Sequence, residues 1–297
     1  MSPSLICQDN LKTIISASRR TDLVAHFPQW LAEALNRGEA EVRIPGGKTV
    51  GVDLRPEAVH TLVLWSKDFS NLLQDRFFLR TALSRYDQLY FHFTITGLGG
   101  TFIESGVPPA AAALAQLPAL VRLAGDPRRI SFRFDPVVFW REGGARRTNL
   151  EAFQQLAPAA ASLGIKDVRF SIAQWYRKAV RRSRAARWQY RDPPLEEKKA
   201  AVHRLTELAS AWGFNLFSCS QDVLAKVPGV RPSACIDGAL LQELHPRREP
   251  ASTAKDRSQR PECRCTESVD IGSYNQSCPH SCLYCYANPR WKALSAP

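Results

Sequence analysis

Runs of β-branched, aromatic and aliphatic residues recur along this chain at 13–17, 61–65, 89–96, 130–134, 168–172 and 215–219. Between them, 28–36, 71–83, 109–123, 150–163 and 195–212 carry apolar positions at helical spacing. Short apolar runs bounded by polar residues read as strands, and a 3.6-residue repeat reads as an amphipathic helix. Strand and helix alternating in this way predict an α/β fold whose parallel strands are joined by helical crossovers. Two architectures satisfy the pattern: an open doubly wound sheet, or a parallel (β/α) barrel or partial barrel of about six strands.

In such folds ligands collect where strands end and βα loops begin. Polar residues cluster at these points: Ser18, Arg19, Arg20 and Asp22 after the first run, Lys67 after the second, Arg133 and Asp135 at the fourth. Arg19, Arg20, Asp22, Lys67, Arg133 and Asp135 are therefore the candidate catalytic or ligand-binding ring, suited to an anionic or zwitterionic ligand. Each has a structural alternative. Asp22 can cap a helix, and Asp135 before a proline can start a turn.

The stretch 246–261 turns polar and basic, which predicts an exposed loop or linker between a barrel-like domain, 1–245, and a cysteine-rich tail, 262–297. No apolar run is long enough to span a bilayer. Residues 1–12 lack a basic start, an apolar stretch and a small-residue cleavage site, so a cytoplasmic protein is expected. The formal net charge of +12 favours anionic partners. Much of it lies within 177–191, where Arg181, Arg182, Arg184 and Arg187 alternate with aromatics such as Trp188. That segment is a candidate nucleic-acid surface, or a solvated arginine-rich helix.

Eight cysteines in a chain of this length, with no export signal, favour metal binding over disulfides. Cys7 stands apart and the other seven fall in the last third. Cys278, Cys282 and Cys285 form a Cys-x-x-x-Cys-x-x-Cys array with Tyr284 before its last member. A cubane has four irons, each wanting a ligand, so three thiolates leave one iron open. The alternative is a zinc knuckle completed by His280 or another cysteine, since both metals take soft thiolates. Cys219, Cys235, Cys263 and Cys265 would satisfy a second, closed site, or are scattered buried thiols. His92, inside an alternating strand, reads best as a buried, hydrogen-bonded imidazole.

Several strings resemble the bacterial domain-of-unknown-function family 1848: Ile15-Ser16-Ala17-Ser18-Arg19-Arg20-Thr21-Asp22, Leu64-Trp65-Ser66-Lys67, Arg133-Phe134-Asp135-Pro136, Cys235-Ile236-Asp237-Gly238, and the tail from Gln259 to Cys285. The resemblance spans nearly the whole chain. It implies a cysteine tail similar to the cluster loop of radical S-adenosylmethionine enzymes, closest to their spore photoproduct lyase branch, moved from the start of the domain to its end. A circularly permuted, radical-enzyme-like barrel would follow, with a short strand within 269–274 beside the 13–17 strand. The cofactors implied are a [4Fe-4S] cluster on Cys278, Cys282 and Cys285, and S-adenosylmethionine with Tyr284 against its adenine. A reductant such as a flavodoxin or ferredoxin would be the partner. Two features depart from the pattern. Cys219-Ser220-Gln221 stands where Cys-Ala-Glu is expected, and Gly99-Gly100 lacks a following acid.

The sequence thus favours an iron-sulfur enzyme of the radical S-adenosylmethionine type acting on nucleic acid or a phosphorylated metabolite. The competing reading is a non-catalytic, metal-stabilised module that binds nucleic acid or protein. A hydrolase has little support, because no histidine stands in a local arrangement with a nucleophile.

Overall fold

The computed structural model describes residues 11–43 and 49–291. Cys7 and the first ten residues, read above for a leader, lie outside the described residues. All six expected strands form: β1 Thr13–Ala17, β2 Val59–Ser66, β3 Leu89–Thr94, β4 Ile130–Val137, β5 Asp167–Ile172 and β6 Asn215–Ser218. Two more join them, β7 Val230–Pro232 and β8 Val269–Asp270. β7 is too short for a periodic signal, and its proline confines it to an edge. Together they make one eight-stranded sheet in the order β8-β1-β2-β3-β4-β5-β6-β7, parallel throughout.

Two expectations change. The strand number is eight rather than about six, and the closed-barrel alternative gives way to an open ladder. Among the described residues β7 and β8 share no hydrogen-bonded register, so the sheet keeps a seam between its two edges. The short strand expected within 269–274 does lie beside β1, with Ile15 opposite Val269 and Ser16 opposite Asp270.

Alternating side chains give the sheet two faces. Ile15, Leu62, Phe91, Phe132 and Phe170 point into the principal core, under helices that include Pro28–Arg37, Leu117–Ala124, Ala152–Ser162 and Leu195–Ser210. On the other face Ile14, Val63 and Tyr90 pack against Cys235, Ile236, Leu241, Ala251 and Cys265. The chain between the two sheet edges therefore folds back over this second face. His92 Nε2 pairs with the Cys235 carbonyl at 2.7 Å, and Gln88 Nε2 donates to the Leu241 carbonyl at 2.8 Å. The stretch 246–261 is largely an exposed loop, as expected, anchored where Ala251 packs in that cluster and Asp256 is buried. Asp256 accepts from Ser258 N–H and Oγ, which holds this anchor in place.

Helix breaks follow local chemistry. The expected helix at 71–83 divides where Asp75, Phe77 and Phe78 adopt left-handed backbone, leaving Ser70–Leu73 and Leu79–Leu83. The one at 109–123 divides into Ala110–Leu114 and Leu117–Ala124, with Pro118 in the first turn of the second piece, where its missing N–H costs nothing.

Candidate functional site

The carboxyl ends of the strands converge on one cavity of about 310 Å³. All six ring residues, Arg19, Arg20, Asp22, Lys67, Arg133 and Asp135, line it, as do all seven described cysteines. β8 delivers Cys278, Cys282 and Cys285 to one wall, while β6, β7 and the chain before β8 deliver Cys219, Cys235, Cys263 and Cys265 to another.

The trio's loop is pinned on three sides. Gly106 donates its N–H to the His280 carbonyl at 3.1 Å, an approach so close that a Cβ on Gly106 would lie 2.1 Å from the Pro279 oxygen. Lys178 Nζ donates to Asn288 at 2.8 Å, and Arg182 donates to the Leu283 carbonyl at 3.4 Å and to the Cys285 carbonyl. Ser281, between His280 and Cys282, is left-handed at φ 57°. The three sulfurs are not all within 4.8 Å of one another. Burial pushes the Cys278 thiol up to about 12 and raises Cys282 and Cys285 as well. A metal taken up here must therefore displace protons.

His280 does not act as a spare ligand. Its Nε2 meets Asp22 at 2.8 Å and its Nδ1 meets the Gly106 carbonyl at 3.0 Å, so both nitrogens are engaged. His26, Cys278 and His280 do approach within 4.8 Å, but recruiting His280 to a metal would break one of those bonds. Asp22 is a buried hub, as well as the helix cap anticipated above. It accepts from Ala25 N–H, Ser66 Oγ and Lys67 N–H, each at 2.9 Å, and so joins β1, β2 and the trio loop. Burial opposes its charge, yet the bond and charge of His280 hold it below the ordinary carboxylate range, and the same bond raises His280 against burial.

Lys67 reaches the trio wall through a partner that sequence reasoning missed. Its Nζ lies 2.9 Å from Glu104, which is fully buried and also accepts from Thr96 Oγ1 at 2.8 Å and from the Tyr284 hydroxyl. Burial works against the ammonium, but Glu104 and the nearby Cys282 keep Lys67 raised. Tyr284 lines the cavity with its hydroxyl spent on Glu104 and Lys67 over its ring at 5.9 Å. Glu104 does not line the cavity, so it supplies no acid of the kind missing after Gly99-Gly100. Its signal was weak because it sits in a loop without strand or helix period.

On the second wall Cys219 and Cys235 have sulfurs 3.5 Å apart. Cys235, Cys263 and Cys265 lie in one buried cluster, with Cys219 packed against it. Arg133 Nη1 donates to Cys235 Sγ at 3.1 Å while pairing with Asp135, which accepts from Ser171. Asp135 stands at an irregularity in the β4 ladder beside Pro136, a bulge rather than a turn. Hydrogen bonds from Cys219 and Cys265, reinforced by Arg133, hold Cys235 well below the ordinary thiol range. Arg19 and Arg133 both stand over the Trp65 ring, at 5.6 and 5.1 Å, and Trp65 stacks on His92 at 3.9 Å. Arg20 instead donates to the Gly272 carbonyl at 3.0 Å, and Arg260 stands at the cavity mouth beside Gln174 and Tyr176. A Cβ on Gly272 would meet Ser18 Oγ at 2.0 Å, so the crossing of β8 past β1 requires glycine there.

A family model described as "Domain of unknown function (DUF1848)" matches residues 14–287. The chain belongs to this family. No curated protein matches it. Among solved structures it is similar to one described as a "putative alpha-L-fucosidase from Bacteroides thetaiotaomicron VPI-5482", at 11% identity over 82% of this chain and 86% of that one. The TM-score is 0.31, too slight a likeness to bear on fold or reaction.

In this DUF1848 chain the basic segment is only partly a free surface. Arg181, Arg184 and Arg187 are exposed, whereas Arg182 is turned into the trio loop. Of the aromatics around them Tyr176 is exposed, while two others are packed inside. Trp188 is buried against Trp175, and Trp175 stacks on Tyr190 at 3.9 Å. Among the described residues no helix is long and apolar enough to cross a membrane. Asp87, His245 and Glu249 also come within 4.8 Å of one another, but Lys12 and Arg247 already neutralise the carboxylates.

Proposed function

We propose that this DUF1848 chain is an iron-sulfur enzyme: Cys278, Cys282 and Cys285 hold a [4Fe-4S] cluster whose fourth iron faces the cavity and takes S-adenosylmethionine. The observation that carries the reading is the spread of the three sulfurs on the wall of an open cavity. A single tetrahedral zinc with bonds of about 2.3 Å needs sulfurs roughly 3.8 Å apart. A cluster takes one thiolate per iron and suits donors set further apart. The candidate fourth zinc ligand, His280, is occupied on both nitrogens.

When bound and reduced by a flavodoxin- or ferredoxin-type donor, such a cluster supplies reductive cleavage of S-adenosylmethionine. The chain's own residues orient, charge and dry the site. Lys67, held by Glu104, sets a fixed positive charge beside Cys282. Tyr284 offers an aromatic edge to the cavity, held in place by its hydroxyl bond. Asp22 and His280 lock the trio loop to β1 and β2. Arg20 and Arg260 bring guanidiniums to the cavity, which suits a substrate bearing phosphate, either a phosphorylated metabolite or nucleic acid.

The test is anaerobic reconstitution with iron and sulfide, followed by reductant and S-adenosylmethionine. Formation of 5′-deoxyadenosine is expected, together with loss of three to four irons (about one cubane) in Cys282→Ala. Cluster-loaded protein that never releases 5′-deoxyadenosine, with or without phosphorylated substrates, refutes the assignment.

A further inference from the structure

The second group of cysteines sits where the sheet fails to close. Cys219 directly follows β6 and Cys235 lies just past β7, so both belong to one edge of the ladder. Cys263 and Cys265 precede β8, the opposite edge. No backbone ladder joins these edges among the described residues, yet Cys219 and Cys235 have sulfurs 3.5 Å apart and share one packed cluster with Cys263 and Cys265.

We propose that Cys219, Cys235, Cys263 and Cys265 hold a second metal centre, separate from that of the trio, which fastens β6 and β7 to the chain leading into β8 and so closes the seam. This inference does not depend on what the trio binds. Four protein thiolates leave no open coordination position, the mark of a structural rather than a substrate-binding metal.

Two further observations point to thiolates bound to a metal rather than to four buried thiols. Two sulfurs are provided with donors, Arg133 Nη1 at 3.1 Å on Cys235 and the Ile236 N–H at 3.4 Å on Cys265, and Ser233 Oγ lies 3.6 Å from Cys235 Sγ. Hydrogen bonds aimed at sulfur orient and tune metal thiolates. The surroundings are also cationic. Arg169 is buried with its nearest carboxylate, Asp167, at 3.9 Å, and Arg19 has Asp256 at 3.7 Å. Four thiolates around a divalent ion carry a net charge of about −2, which buried guanidiniums would balance. No three of the four sulfurs lie mutually within 4.8 Å, a spread that suits the one thiolate per iron of a cluster better than a single zinc.

The full-length chain is purified anaerobically as wild type and as C278A/C282A/C285A, and iron, sulfide and zinc are measured per chain. The trio-less variant is expected to keep one metal centre, with iron and sulfide together marking a cluster and zinc alone marking a mononuclear site. Adding Cys265→Ser should remove that metal and speed amide hydrogen exchange across 251–268 about 10-fold or more. A folded trio-less variant free of metal overturns the proposal, as does full retention of metal after Cys265→Ser. Native mass spectrometry of the fully loaded wild type supplies the reading that needs no variant: two centres support the proposal and one refutes it. Loss of the trio's metal alone bears on the enzymatic reading and leaves this one standing.

Discussion

The two cysteine walls of the cavity are built by opposite means. The trio sits on one loop, within eight residues, and its spacing is written in the chain. The quartet gathers from three separate segments and becomes a group only because β7 and β8 end the sheet on facing edges. A local array can be read as chemistry before anything is known of the fold. An assembled one depends on the fold, and in turn bears on its stability.

Substitutions that act on one wall and spare the other test this division. The largest effect is expected from Cys282→Ala, which should abolish 5′-deoxyadenosine formation and remove the trio's iron, while chemical unfolding shifts by only about 1 kcal/mol. Comparable losses of stability and activity together would break the contrast. Lys67→Met should follow, because it leaves Glu104 charged, buried and unpaired, a change that costs about 3–5 kcal/mol. The double variant Lys67→Met/Glu104→Gln should recover most of that stability but little activity, and a double-mutant cycle in urea reads it directly.

On the second wall Cys235→Ala should lower stability by about 3 kcal/mol through loss of the seam's metal and of the sulfur facing Arg133, measured by the unfolding midpoint. If Cys235→Ala proves neutral, the assembled group is not a clamp.

Acid should act on the same side of the molecule. The His60 and His245 rings lie 4.6 Å apart at a 33° tilt, and His60 Nε2 pairs with the Glu249 carbonyl, tying β2 to the chain over the second face. Burial lowers both imidazoles below their usual pKa despite facing Glu249 and Asp87, with Lys12 or Arg247 opposing protonation. The unfolded chain then binds more protons below about pH 6.5, so this stability is present above that pH and is lost as pH falls. The unfolding midpoint should be level above about pH 7 and decline below 6.5, and His60→Gln should flatten the decline. A decline that His60→Gln leaves unchanged would assign the acid sensitivity to other groups. The smallest effect is expected from R181A/R184A/R187A. These exposed side chains should change stability by no more than about 0.5 kcal/mol and leave metal content unchanged, whereas Arg182→Ala alone should loosen the trio loop.

Much of the architecture was legible because burial on both faces of a parallel sheet writes near-continuous apolar runs, as in β2, β3 and β4. The same rule placed the six ring residues at strand ends, where the structure finds all of them around one cavity. Their individual roles were less legible. Asp22 became a hub for β1, β2 and His280, and Arg133 became the neighbour of Cys235, through partners more than forty residues away. β7 and Glu104 left little trace, one because three residues carry no period, the other because a loop carboxylate acquires meaning only from what packs on it.

By itself the sequence determined the parallel α/β plan and the three-thiol array, since these rest on periodicity and spacing within short stretches; the strand beside β1 came from the family resemblance. Only the tertiary structure decided that the ladder stays open, that the chain after β7 folds over the second face, and that cysteines from three segments gather at the seam. Contacts between segments far apart in the chain depend on how strand edges and loops meet in space, and no local pattern of residues encodes that meeting.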